Sequence, residues 1–300
     1  MQAGTSRIPP FLIPALGVGL LAFATSPILI RYAGAAPGTS VAMMRTAMAA
    51  VLLLPLVLRR GLPSLKVLDG RSYVLLALSG LFLSLHFLVW INSLYYTSVA
   101  SASVLVTMSP LFLALASTHI LKEHVSKVTW LAIALGTLGV ILMTWSDASG
   151  GGQGPNPLLG NALALLGAVF YVVHILLGRV LRRQLDWLDY VFPMYAICGL
   201  FTLVIGATQG GTVLEYPAYI YGLCFLMAAG PQLLGHGSFN LAVRYISPAW
   251  IGLIHLLEPV GASLLAVILF AEVPNATSMG GMMLVLLSVA FAIVHQSRKA

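Results

Sequence analysis

The chain has 300 residues, of which 59% are hydrophobic and only 8% are charged. A soluble domain carries about 25% charged residues, so this composition excludes a water-covered surface, and a mean hydropathy of +0.98 agrees. The formal net charge of +7 would suit a nucleic-acid binder, but no nucleic-acid motif accompanies it, and its placement along the chain points to membrane topology instead.

A spanning helix needs about 20 apolar residues. In chain order ten runs reach that length: about 11–33, 38–58, 72–95, 99–121, 126–145, 157–181, 187–208, 216–241, 247–270 and 276–295. They are too long for strands and lack period-two alternation. The first run continues past Ala22-Phe23-Ala24 to Ile30, so it reads as a retained span rather than a cleaved signal.

Runs 1 and 2 hold Arg31 and Arg45, the two basic residues not assigned to inner loops and ends. Arg31 ends its run and can snorkel to the interface; Arg45 sits deeper and reads mainly as scaffold. Run 3 carries Phe82, His86, Trp90 and Ser93 at helical spacing. Such a stripe is usually packing, and Trp90 lies close enough to the interface for an aromatic belt, but His86 is deeper and needs partners. Run 4 brings Met108, an adaptable apolar wall or simply core, and then Pro110. A proline in mid-span leaves the carbonyl four residues back, that of Val106, unpaired; this makes a kink, a cavity lining or a hinge.

The stretch 147–156 is Gly-rich and separates two units, 8–146 and 157–296. In the second unit, run 6 offers Tyr171 and His174 at i, i+3, and run 8 offers Gln232, His236 and Asn240 at i, i+4, i+8. Cys198 and Cys224 fall inside spans and read as small buried apolar residues. Run 9 carries His255, Glu258 and Pro259. Glu258 reads as the only acid inside a span, near the midplane, where a charge costs about 2.5–3.5 kcal/mol. It must face protein or water, and His255 at i−3 shares its face. A lone histidine in such a run is more often satisfied core than ligand; taken together these residues favour a polar pocket.

The two units repeat each other. At a fixed offset of 149 residues Tyr96 meets Tyr245, Ser98 meets Ser247, Ala100 meets Ala249, Pro110 meets Pro259 and Glu123 meets Glu272. Runs 1 and 6 align more weakly, Phe23 over Tyr171 and Arg31 over Arg179. Each unit has five runs, an odd number, so the second enters the membrane inverted. The expected fold is all-α and integral to the membrane: ten transmembrane helices as a 5+5 inverted repeat. Runs 3 and 4, and runs 8 and 9, are joined by tight connections and read as antiparallel neighbours. With the N-terminus inside, 13 of the 15 Lys and Arg residues fall in inner loops and ends, which places both termini in the cytoplasm.

The strings "YYTSVASASVLVTMSPLFLALASTHILKE…GTLGVIL", the second copy from Tyr245, and "RTAMAAVLLLPL" in run 2 resemble the EamA-type drug/metabolite transporter superfamily. Within it the chain looks most like the YddG branch of aromatic and neutral amino-acid exporters. The resemblance implies a 5+5 inverted repeat in a plasma (bacterial inner) membrane. It also implies a central cavity lined by runs 1, 3, 4, 6, 8 and 9, and export of small metabolites.

Other classes fare worse. An intramembrane enzyme needs a nucleophile–base pair, a carboxylate pair or a metal cluster. The spans hold no HExxH or GxSxG, and Ser238 in Gly235-His236-Gly237-Ser238 lacks an activating partner in sequence. No GxxxxGK[ST] cradles a nucleotide, so energy would come from the substrate gradient or from coupled protons. No cofactor or metal is expected; the partners are a small-molecule substrate and membrane lipid. Sparse, mixed charge in the spans suits a neutral or zwitterionic solute, with a sugar phosphate or another metabolite of the same superfamily as the alternative. The expected substrate-binding residues are His86, Trp90, Met108, Tyr171, His174, His236 and Glu258, with Pro110 and Pro259 as hinges.

Overall fold

A computed structural model describes residues 9–97, 102, 105–106, 108–148, 155–270 and 276–297. The helices in order are α1 (Leu12–Ala24), α2 (Ser26–Tyr32), α3 (Gly38–Arg60), α4 (Gly70–Tyr96), α5 (Ser109–His119), α6 (Lys127–Ala148), α7 (Pro157–Leu181), α8 (Trp187–Thr208) and α9 (Ala218–Met227). A π-helix (Ala228–His236), α10 (Gly237–Ala242), α11 (Pro248–His255), α12 (Glu258–Phe270) and α13 (Ala276–Ser297) follow. Their starts carry ordinary helix signals. Asp69 caps α4 by accepting the Ser72 N–H at 2.9 Å, and bonding from Ser72 holds the Asp69 carboxyl below its ordinary value. Asn156 caps α7 through the Leu159 N–H at 3.1 Å, and proline occupies the first turn of α2, α5, α7 and α11.

Six helical stretches are long and apolar enough to cross a membrane: Leu12–Tyr32, Gly38–Arg60, Gly70–Tyr96, Pro157–Leu181, Trp187–Thr208 and Ala218–Ala242. Among the described residues, expected runs 4 and 9 do not reach that length, and within α6 and α13 runs 5 and 10 contribute the shorter apolar stretches Lys127–Leu142 and Met279–Ala292. In runs 4 and 9 proline acts more drastically than a kink. Pro110 stands in the first turn of α5, and run 9 stops at His255 before α12 restarts at Glu258, beside Pro259. Run 1 breaks at Thr25, whose hydroxyl donates to the Ala22 carbonyl at 2.7 Å. Run 8 passes through the π-helix around Pro231, the register shift that absorbs a missing N–H.

The outer surface is apolar. Ile13, Leu58, Trp145, Leu158 and Ile268 are each at least 74% exposed, a liability in water and the expected face toward lipid. Inside, α4 packs on α7 and α8, and α1 packs on the π-helix and α10. The other main pairs are α3 with α8, α9 and the π-helix; α5 with α7 and α11; α1 with α12; and α6 with α13. Among the described residues, which leave out most of the first half of run 4, the expected neighbours, runs 3 with 4 and 8 with 9, are not main packing pairs. A tight connection fixes only the ends of two helices, and the breaks in runs 4, 8 and 9 let the remainder diverge. Gly252 permits a close crossing of α11 and α5, since a Cβ there would stand 2.7 Å from the Pro110 Cα.

Candidate functional site

The interrupted helices meet around one cluster of rings. Phe23, two residues before the Thr25 break, lies with its ring centroid 4.7 Å from His236 and 5.1 Å from both Phe239 and His255. His236 ends the π-helix and His255 ends α11. From α7, Tyr171 lies 5.8 Å from His236 and 5.3 Å from His255. From α4, His86 lies 5.4 Å from Tyr171 and 5.9 Å from His236, and stacks on Trp90 at 6.2 Å with an 8° interplanar angle. Helix ends and the π turn place Phe23, His236 and His255 where the regular backbone ladder is interrupted, the local condition for polar groups at membrane depth, while His86, Trp90 and Tyr171 reach in from the unbroken α4 and α7.

Polar atoms converge on the same place. His255 Nε2 lies 2.6 Å from Glu258 Oε2 across the break between α11 and α12. His86 Nδ1 pairs with the Gly167 carbonyl of α7 at 2.9 Å. The Tyr171 hydroxyl, His236 Nδ1, His255 Nδ1 and Trp90 Nε1 are buried and have no hydrogen-bond partner among the described residues. Each such group costs about 1–3 kcal/mol unless something satisfies it, so the cluster presents a ready set of polar atoms between aromatic faces.

Other expected residues stand differently. His174 is fully buried and turned to α4 and α8: its Nδ1 pairs with Ser79 Oγ at 2.9 Å, and Ser79 Oγ pairs with the Tyr190 hydroxyl at 2.7 Å. Met108 is half-buried at the turn that opens α5, its carbonyl accepting the Leu111 and Phe112 N–H groups; no hydrogen bond or ring contact ties it to the histidines. Trp90 is only 6% exposed, which removes the lipid-belt reading. Gln232, His236 and Asn240 are all buried, but the π register splits the stripe. Gln232 accepts from Arg45 Nε at 3.2 Å, and its carbonyl accepts the Tyr195 hydroxyl at 2.7 Å. Arg45 also donates to Ser26 Oγ at 3.3 Å and lies 4.4 Å over the Phe87 ring. Phe87 in turn meets His236 at 5.0 Å, so the buried guanidinium braces the cluster from behind.

Glu258 is not the only acid in a helix that crosses the fold. Asp189, fully buried in the first turn of α8, accepts the Ser64 N–H at 2.8 Å.

Two stretches of the chain, residues 12–145 and 158–294, match the EamA-like transporter family. The chain belongs to that family. The curated relatives it matches are named as uncharacterized transporters. Over 211 residues it is 26% identical to the uncharacterized transporter PA0485 of Pseudomonas aeruginosa, covering 68% of this chain and 65% of that protein, a little under two thirds of its length. It is 23% identical over 228 residues to the uncharacterized transporter YyaM of Bacillus subtilis, covering 75% of this chain and 74% of that one. A solved crystal structure shares the fold over 97% of this chain and 99% of its own, with a TM-score of 0.80 at 17% identity.

In this EamA-like chain a second set of polar contacts closes one end of the bundle. Glu123, just past α5, accepts Arg179 Nε at 2.9 Å and Arg183 Nη2 at 3.1 Å. Arg179 Nη1 also donates to the carbonyls of Val243, Arg244 and Ile246, between α10 and α11. Asp186 pairs with Arg60 and Arg244 at 3.0 and 3.5 Å. Phe23, Phe87 and Phe239, which complete the ring cluster, were not among the expected site residues. For Phe23 a signal existed in its alignment with Tyr171, its counterpart in the cluster; Phe239 follows His236 by i+3.

Proposed function

We propose that this EamA-like transporter exports small neutral or zwitterionic metabolites, amino acids with aromatic or apolar side chains among them, by alternating access of a 5+5 inverted repeat. The observation that carries the reading is the ring cluster at the helix breaks. Aromatic faces from Phe23, Trp90 and Tyr171 flank a carboxylate, Glu258, and the unpartnered atoms of His236, His255 and Tyr171. A carboxylate suits an ammonium, imidazole N–H groups and a phenol suit a carboxylate, and ring faces suit an apolar side chain. A pocket of that kind selects by shape, and one methylene is worth about 1–3 kcal/mol, so the substrate range should be broad.

The packing pairs support the inverted repeat. Exchanging each run with the one five places on turns the α4–α7 contact into that of the π-helix with α1, and the α5–α7 contact into that of α12 with α1. The α3–α8 and α6–α13 pairs map onto themselves. On this reading the units are 8–146 and 157–296. Both termini face the cytoplasm of a bacterial inner membrane, and the breaks at Pro110 and Pro259 serve as hinges. Proton coupling would run through His255 and Glu258.

Counterflow in proteoliposomes with a labelled panel of amino acids tests the substrate class. Accelerated exchange of aromatic and neutral amino acids is expected. Movement of phosphorylated sugars with no amino acid would overturn it and promote Arg45 from brace to ligand.

A further inference from the structure

Away from the ring cluster, a cavity of about 200 Å³ opens where α6 and α11 begin and α13 ends. Its lining includes His124, Ser126, Thr129, Ser247, Trp250 and His295. No acid lines it. The one carboxylate nearby in sequence, Glu123, is held by Arg179 and Arg183. Two helices start at its wall. Ser126 accepts the Thr129 N–H at 3.1 Å and Ser247 accepts the Trp250 N–H at 3.4 Å, so each serine caps its helix. The remaining first-turn N–H groups, those of Lys127, Val128 and Ala249, have no acceptor within their own helices. Both helix dipoles add partial positive charge at that end. His295 closes the third side, and its Nε2 is buried without a hydrogen-bond partner. Lys122 and Lys127 flank the opening in sequence.

We propose that this cavity binds a phosphate-type anion, either the headgroup phosphate of an anionic lipid or free phosphate. Backbone N–H groups at two helix starts, serine and threonine hydroxyls and two imidazoles are the donors that phosphate oxygens take. The space exceeds what one phosphate group fills, leaving room for the carbons of its ester. A basic recess between helix ends at the edge of the spans is also the kind of place where anionic headgroups seat, and Trp250 supplies an interfacial ring beside it. The site binds from its own wall residues and involves none of the ring-cluster side chains.

Thermal unfolding of the full-length protein in nanodiscs tests this. One arm uses phosphatidylcholine nanodiscs with inorganic phosphate, against chloride at matched ionic strength. The other uses phosphatidylglycerol nanodiscs without phosphate. At about ten times the Kd a bound anion should raise Tm by roughly 3 °C. A rise with inorganic phosphate identifies a free-anion site; a rise only with phosphatidylglycerol identifies a headgroup site. In either case the rise should vanish in His295→Phe, which fills the recess and removes a donor, and shrink in His124→Ala. His119→Ala should keep it, because that exposed imidazole bonds the Leu115 carbonyl of its own helix at 2.9 Å. If His295→Phe shows no cooperative unfolding, the comparison of His124→Ala with His119→Ala decides. No rise in either arm, or an equal rise in wild type, His124→Ala and His119→Ala, overturns the proposal.

Discussion

His255 and Glu258 face each other across a helix break, with Nε2 and Oε2 2.6 Å apart. The same break frees backbone groups and brings Phe23, Tyr171 and Phe239 around the His255 ring. A carboxylate at this depth is tolerable because the imidazole holds it. The pair can also hold a proton, or its carboxylate can accept a hydrogen bond from a passing ammonium.

Glu258→Gln therefore tests the pair directly. A hydrogen bond to an ionised group is worth about 1.5–3 kcal/mol. If that interaction is felt in the translocation barrier, transport falls by roughly 10- to 100-fold at normal expression. Any dependence of transport on pH, followed across roughly 5.5 to 8, should flatten, because an amide neither takes up nor releases a proton. Rates equal to wild type throughout that window would leave the pair a structural tie only.

The crossing of α5 and α11 should be intolerant of any side chain at Gly252. A Cβ there would meet the Pro110 Cα at 2.7 Å, a backbone atom that cannot swing away. Gly252→Ala should cost about 1–3 kcal/mol through overpacking and lower Tm, with a matching loss of transport. Gly17→Ala, where nothing lies within 4 Å, is the control and should leave Tm unchanged or slightly higher. Equal Tm values for Gly252→Ala and wild type would show that the crossing can open without penalty.

Much of this architecture could be read from the chain. The i−3 spacing of His255 and Glu258 is local, and a helical turn survives up to the break. Repeat spacing pointed to Pro110 and Pro259 as special. Whether a mid-span proline kinks a helix or ends it depends on what packs beside it, here Gly252 against Pro110, and tertiary contacts of that kind leave no local pattern. The π register around Pro231 has the same origin, and it is why Gln232 turns to Arg45 while His236 joins the rings. Asp189 went unnoticed as a span acid because it sits in the first turn of its helix, where an acid normally reads as a dipole partner. Phe23, Phe87 and Phe239 look like any core phenylalanine until the fold sets them against histidines.

The contacts that close the bundle at Glu123 should act as a gate. Glu123 joins the end of α5 to α7, and Arg179 ties it on to the connection between α10 and α11. Glu123→Gln removes the charge from a partly buried pair with two arginines, so the connection should loosen. Amide hydrogen exchange at residues 120–126 and 243–247 should speed up by about tenfold, the effect of about 1.4 kcal/mol of lost local stability. Exchange there at wild-type rates would mean that the arginine–carbonyl bonds hold the closure alone.

Replacing His86 and Cys198 should separate site from core. His86 bonds the Gly167 carbonyl and stacks on Trp90 inside the ring cluster. His86→Ala removes both contacts and should lower transport about tenfold or more. Cys198 is fully buried among apolar side chains of the bundle core, and Cys198→Ala should leave transport near wild type. Equal losses in the two variants would mean that the His86 effect is one of packing.

Orientation is the last expectation, and charge placement sets its sign. Arg59, Arg60, Lys66, Arg71, Arg179, Arg182, Arg183 and Arg244 lie at helix ends and connections that the positive-inside rule assigns to the cytoplasm, while Glu215 lies in a connection it leaves outside. An odd number of spans then separates position 150 from position 300. In Gly150→Cys and Ala300→Cys variants, a membrane-impermeant thiol reagent applied to intact cells should label position 150 and spare position 300 until the membrane is opened. The native Cys198 and Cys224 are buried and add little background. Labelling of both positions from one side would remove the odd span count and, with it, the inverted repeat. Labelling of position 300 alone from outside would keep the repeat and reverse the orientation.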